Sequence, residues 1–170
     1  HVGVVTIDKD GITAKLISAS EYSSVDSSVY KSIVIEAARI NEMLSDKFAT
    51  TEVFLDGNRE PGVRTKETNL GDFAADAILW AANNAVGGGV DLAITNGGGI
   101  RASIEIGDVT MKDMKTVFPF GNTVAIVKVT GAQLLELLEA STCSTPVAIG
   151  AFPQVSGIEF TIDTTVPYVN

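Results

Sequence analysis

Hydrophobic and polar positions first organise residues 2–17. Val2-Gly3-Val4-Val5-Thr6-Ile7 is rich in β-branched residues, Asp8-Lys9-Asp10-Gly11 carries turn chemistry, and Ile12, Ala14 and Leu16 alternate with polar neighbours. The pattern predicts a β-hairpin. A lone two-stranded hairpin is marginal in water, so this one is expected to join a sheet whose other strands lie elsewhere. Residues 19–26 are polar and turn-like. From Asp26 to Asp46, Val29, Ile33, Ala37, Ile40 and Leu44 recur every three or four positions, opposite Lys31, Glu36, Arg39 and Asn41. That spacing predicts a long amphipathic helix with Asp26 or Ser27 as its N-cap, either a connector between domains or the first helix of the same one.

Strands and helices then interleave. A strand is predicted at Thr51–Leu55, a charged loop at 58–66, and a helix opening at Asn69-Leu70-Gly71-Asp72 and running to about Ala85, where Gly87-Gly88-Gly89 stops it. Next come a strand at Val90–Thr95, a loop at Asn96–Arg101, and a short helix capped by Thr110 with Asp113 three residues on. Thr123–Val129 alternates as a strand, and the helix after Thr130 repeats the cap logic with Gln133 and is expected to bury Leu134, Leu135, Leu137 and Leu138. A last strand is predicted at Gly157–Asp163, running into 164–170. The interleaving is α/β-like or α+β; sheet order is not legible.

Of 170 residues, 45% are apolar and 19% charged, which supplies a core and excludes disorder as the overall state. The formal net charge of −9 argues against a basic nucleic-acid surface, and no apolar run reaches the roughly 20 residues that span a bilayer. Cys143 is the only cysteine and His1 the only histidine, so an intrachain disulfide, a Cys/His zinc site and a histidine-dependent triad are excluded. Beginning at His1 rather than Met, the chain reads as a piece of something longer.

Candidate chemistry lies in three loops. Asn96-Gly97-Gly98-Gly99-Ile100-Arg101 follows a buried strand; such a run can turn sharply or approach a ligand, its N–H groups can cradle an anion, and Arg101 can add a forked contact. It is neither a Walker loop nor a dinucleotide fingerprint. Arg59 and Arg64 precede a helix N-terminus and suit an anion, or else pair with Glu60 and Glu67 in solvent. Phe118-Pro119-Phe120-Gly121-Asn122 offers aromatics that either stack on a planar ring or plug the core.

Taken together, Arg64-Thr65-Lys66-Glu67-Thr68-Asn69-Leu70-Gly71-Asp72, Asn96-Gly97-Gly98-Gly99-Ile100-Arg101-Ala102-Ser103-Ile104 and Val117-Phe118-Pro119-Phe120-Gly121-Asn122 resemble, in order and spacing, the C-terminal domain of the 5′-nucleotidase family. That family includes UDP-sugar hydrolases and bacterial cyclic-nucleotide phosphodiesterases. Gly107-Asp108-Val109-Thr110 and Val129-Thr130-Gly131 fit as well, so the resemblance covers most of residues 51–160. It implies an α+β fold of mixed layers preceded by a long linker helix. Residues 1–20 would be the last strands of a metallophosphoesterase domain, 21–50 the linker, and 51–170 the first part of the substrate domain.

The resemblance implies a role for each candidate. Phe120 would wall the nucleobase, Asn122 and Asn96 would make polar contacts, and Arg64 and Arg101, with Arg59 as a third, would reach ribose and phosphate oxygens. The family's Asp-x-His, Gly-Asn-His-Glu and Gly-His-x-His metal motifs are absent, as is its Asn-Gly-Gly-Asp-Gly-Phe region. Two divalent ions are therefore expected on a separate metallophosphoesterase domain, with no cofactor, catalytic residue or metal ligand here. Expected partners are a nucleotide or nucleoside and the remainder of the same protein, not DNA, RNA or a membrane. An exported, periplasmic or cell-wall location is the family's. The competing reading is a non-catalytic nucleotide- or protein-binding module of the same fold.

Overall fold

The computed structural model describes residues 1–21 and 25–168. Of the turn-like stretch 19–26, residues 22–24 lie outside the described residues, as do the last two of 164–170. The backbone falls into two compact units, 1–43 and 44–170.

In the first unit, β1 (Val2–Asp8) and β2 (Gly11–Ile17) form the expected antiparallel hairpin in register from Val2–Ile17 to Asp8–Gly11. Helix α1 (Ser27–Met43) starts where Asp26 accepts the N–H groups of Ser28 and Val29 at 2.9 and 3.1 Å, and ends three residues before the predicted limit. No residue of α1 is buried; Val29, Ile33 and Ile40 of its apolar stripe are exposed.

The second unit holds β3 (Lys47–Thr51), α2 (Asn69–Val86), β4 (Ala93–Asn96), β5 (Gly107–Thr110), α3 (Met111–Val117), α4 (Gly131–Thr142) and β6 (Pro153–Ser156). Strand β3 pairs antiparallel with β5, and β4 with β6. The α+β expectation holds. The core is Val63, Leu70, Ala74, Ile100, Ile104, Val109 and Val117, with Leu55, Met114 and Phe118 packed on its edge. Helix α2 begins at Thr68, whose hydroxyl accepts the Gly71 N–H at 3.1 Å, and stops at Gly87 in the left-handed region, φ 79°. Both predicted Thr caps form complete capping boxes, Thr110 with Asp113 and Thr130 with Gln133.

Five expectations need correction. The strand predicted at Val90–Thr95 is the shorter Ala93–Asn96, taking in the first residue of the predicted loop, because its ladder with β6 runs only from Ala93 to Asn96. The strand predicted at Thr51–Leu55 forms earlier, at Lys47–Thr51, because β5 is its partner there and the Thr51 hydroxyl then bonds the Val53 carbonyl at 2.7 Å and turns the chain; only Leu55 bridges back, to Ile104. The last strand is Pro153–Ser156 rather than Gly157–Asp163, since Gly157 at φ 78° ends the ladder with β4. Thr123–Val129 forms no strand: among the described residues its backbone has no ladder partner. Finally, of its four leucines α4 buries only Leu138, leaving Leu134 half-buried and Leu135 and Leu137 exposed, because only part of its apolar face finds a neighbouring element.

Candidate functional site: an arginine cluster beside an exposed ring

The glycine turn after β4 is shaped by its own protein. A Cβ on Gly97 would fall on the Val63 carbonyl oxygen, and one on Gly98 would press the Gly150 carbonyl. The close approach that glycine permits is therefore to backbone. The Gly97, Gly98, Ile100 and Arg101 N–H groups donate to Phe152, Gly150, Gly97 and Val117 carbonyls at 2.8, 2.9, 3.2 and 2.9 Å. These four donors are committed to backbone carbonyls and are not offered to an anion. The turn fixes where Arg101 leaves the backbone, and the guanidinium is further held by Nη1 donating to the Gly98 carbonyl at 3.2 Å.

Arg101 then meets the third loop. Its Cζ lies 5.9 Å from the centre of the Phe120 ring, within cation–π range. The two aromatics of that loop divide the alternatives between them. Phe118 is half-buried against the core and acts as the plug, whereas Phe120 projects with 54% of its surface exposed. Asn122 is exposed beside it and makes no side-chain hydrogen bond among the described residues.

Arg64 is half-buried in the loop before α2. Burial first, and then the positive charges of Arg59 and Arg101, hold its guanidinium below the ordinary arginine value. Two of the three loops thus bring Arg59 and Arg101 into the field of Arg64. Ion pairs form elsewhere, Arg39 with Glu36 and Lys47 with Asp108; among the described residues neither Glu60 nor Glu67 pairs with the cluster. Like charges held together without a carboxylate favour an anionic ligand.

Asn96 braces the site: its Nδ2 donates to the Gly150 carbonyl at 2.9 Å. Together with Phe120 and Asn122 it lines a cleft of about 840 Å³ walled by Ala74, Ala77 and Ile78 of α2. A second cleft, of about 1130 Å³, is rimmed by Glu67, Asp72, Asp76 and Glu159, the wrong sign for an anion. Among the described residues no group of three or more His, Cys, Asp or Glu side chains is arranged to hold a metal ion. Sequence reasoning missed Gln154, whose buried amide fastens the Arg64 loop; its only signal was a polar residue inside an apolar stretch.

The 5′-nucleotidase C-terminal domain family matches residues 47–170. The chain is 42% identical over 159 residues to the trifunctional nucleotide phosphoesterase protein YfkN of Bacillus subtilis, covering 94% of this chain and 10% of that protein. It is 35% identical over 156 residues to a 5′-nucleotidase of Vibrio cholerae, covering 92% and 27%. A solved structure, the 5′-nucleotidase precursor of Thermus thermophilus, superposes with a TM-score of 0.74 at 32% identity, covering 96% of this chain and 32% of that one. The chain therefore spans between a tenth and about a third of these relatives. Fold and sequence agree on one assignment: residues 47–170 are a 5′-nucleotidase C-terminal domain, and the chain belongs to that family.

Proposed function

We propose that this chain is the substrate-recognition portion of a nucleotide phosphohydrolase of the 5′-nucleotidase type. The observation that carries the reading is the arrangement of Arg101 over the exposed Phe120 ring, with Arg64 in the field of Arg101 and Arg59. A nucleotide has the two features such a grip fits, a planar π-face and an anionic tail. Phe120 stacks on the base, Asn122 contacts the base edge, and Asn96 holds the turn with its remaining polar valences toward the cleft. Arg64 and Arg101, with Arg59, bind ribose and phosphate oxygens and orient the ester. Hydrogen bonds to charged groups contribute about 1.5–3 kcal/mol each, so two guanidiniums and one stacked ring give useful affinity.

Ester cleavage belongs to a metallophosphoesterase domain of the same polypeptide, where bound divalent ions would supply an activated water. The residues described here offer no donor set for such ions, and no step assigned to them passes through a metal. On this reading residues 1–20 are the last strands of that domain, 21–50 the linker, and 51–170 the substrate domain. The protein would act outside the cytoplasm, periplasmic, secreted or attached to the cell wall, which a lone Cys143 accommodates.

The test is a comparison of two proteins. The 170-residue chain should release no phosphate from AMP with magnesium, manganese or zinc present, while the intact polypeptide that contains it should dephosphorylate AMP. Turnover by the chain alone would overturn the division of labour. An intact protein inert towards nucleotides would favour the non-catalytic module.

A further inference from the structure

We infer that Gln154 is the positioning residue for the arginine half of the site, an inference that rests on the nucleotide-recognition reading above. Gln154 belongs to β6 and is only 1% exposed, a polar side chain among the most deeply buried in the molecule. Its Nε2 donates to the Val63 carbonyl at 3.1 Å and to the Lys66 carbonyl at 2.8 Å, while its Oε1 accepts the Thr68 N–H at 3.3 Å. Both donor hydrogens and the acceptor are thus spent on one six-residue stretch with Arg64 inside it. The three bonds reach 91, 88 and 86 residues back along the chain.

Besides the burial of Val63 in the core, the stretch has few ties to the rest of the unit. Its own bonds are local: Val63 N–H to the Asn58 carbonyl, and Thr65 and Lys66 N–H to Gly62. Among the described residues, the other backbone ties to residues outside it are the Ile149 N–H donating to the Arg64 carbonyl at 3.1 Å and the Asp72 N–H of α2 donating to the Thr68 carbonyl at 2.9 Å. Gln154 connects the stretch to the rest of the site, because it pairs with Thr95 in the β4–β6 ladder, one position before Asn96 and the glycine turn. The Val63 carbonyl it holds is the one that Gly97 lies against, and a Cβ on Gly71 of α2 would fall on the Gln154 Oε1. One amide therefore sets the separation between the loop of Arg59 and Arg64 and the turn that carries Arg101.

The chemistry explains why glutamine stands there. Glutamate would turn a second acceptor toward two carbonyls, asparagine would fall short of them, and methionine would leave two carbonyls and one N–H buried without partners. A clamp on an anion is sensitive to displacements of an ångström or less, because each charge-assisted bond needs its own geometry. Phe120 and Asn122 sit on the segment after α3, which none of the three Gln154 bonds reaches. Loss of Gln154 should therefore weaken the hold on phosphate far more than the hold on the nucleoside, whose base rests on Phe120 and Asn122.

The experiment is binding calorimetry on the 170-residue chain with AMP and adenosine as separate probes, for wild type, Gln154→Met and Gly71→Ala. Wild type should prefer AMP. Each variant should lose about tenfold or more in AMP affinity and several-fold less in adenosine affinity. Equal losses for both ligands, as a merely structural role would give, or no loss for either, would overturn the inference. A wild type without preference for AMP is a different failure: it removes the nucleotide reading and this inference with it. Should either variant fail to fold, hydrogen exchange on wild type decides. The Thr68 amide should be protected as strongly as the β4–β6 ladder, and exchange at the rate of an exposed loop would refute the role.

Discussion

Arg64 shows how much a single side chain's surroundings say about its use. A half-buried guanidinium with two like charges nearby, and no carboxylate paired with it among the described residues, is held at a cost that an anion would relieve. Arg101 and Phe120 each supply one component of the grip, so Arg101→Ala or Phe120→Ala in the intact protein should lower kcat/KM by about tenfold or more. Unchanged steady-state kinetics in both would remove the proposed roles. Asp72 presents the opposite charge problem in the first turn of α2. Burial first, then the nearby Glu67 and Asp76 carboxylates and a hydrogen bond with Glu67, push its carboxyl above the ordinary value. A carboxyl raised in the folded state is ionised more easily when unfolded, so it lowers stability as pH rises from the unfolded value through the folded one. Asp72→Asn should therefore gain in melting temperature relative to wild type between about pH 4 and pH 8, and a gap that stays constant or narrows would contradict this origin.

At the scale of elements, local chemistry and pairing part company. Thr110 and Thr130 cap helices by side-chain bonds to residues three positions away, and their sequence signature needed nothing else. Replacing either with Ala should cost about 1 kcal/mol in denaturant unfolding, less where the helix frays before the core does. Gly97 is an element boundary of a different kind. Its Cβ would meet backbone, which cannot swing away, so Gly97→Ala should cost about 3 kcal/mol or disrupt the turn, more than either cap; a change within about ±0.5 kcal/mol would mean the Val63 loop moves freely. Strands were less legible than helices because a strand's limits belong to two segments at once. Lys47–Thr51 and Pro153–Ser156 are strands because β5 and β4 lie against them, while Thr123–Val129 has strand-like alternation and no partner among the described residues.

For the whole molecule, the division into 1–43 and 44–170 places every candidate site residue in the second unit, which carries its own core. A protein beginning at Leu44 should thus bind AMP with an affinity within about twofold of the full chain, measured by the same calorimetry; a larger loss would show that the first unit contributes to the grip. The amino-acid sequence by itself determined the hairpin, the helix starts, the family and the six residues worth examining, because turn chemistry, capping and motif spacing act over a few positions and leave their mark in local order. Only the folded chain shows which of those residues meet: that Phe118 packs inward while Phe120 projects, that the Gly97 and Gly98 donors go to backbone carbonyls, and that Arg59 and Arg101 lie in the field of Arg64. It alone revealed Gln154, since a hydrogen bond between positions 86 residues apart depends on how the chain returns on itself, which no local pattern records.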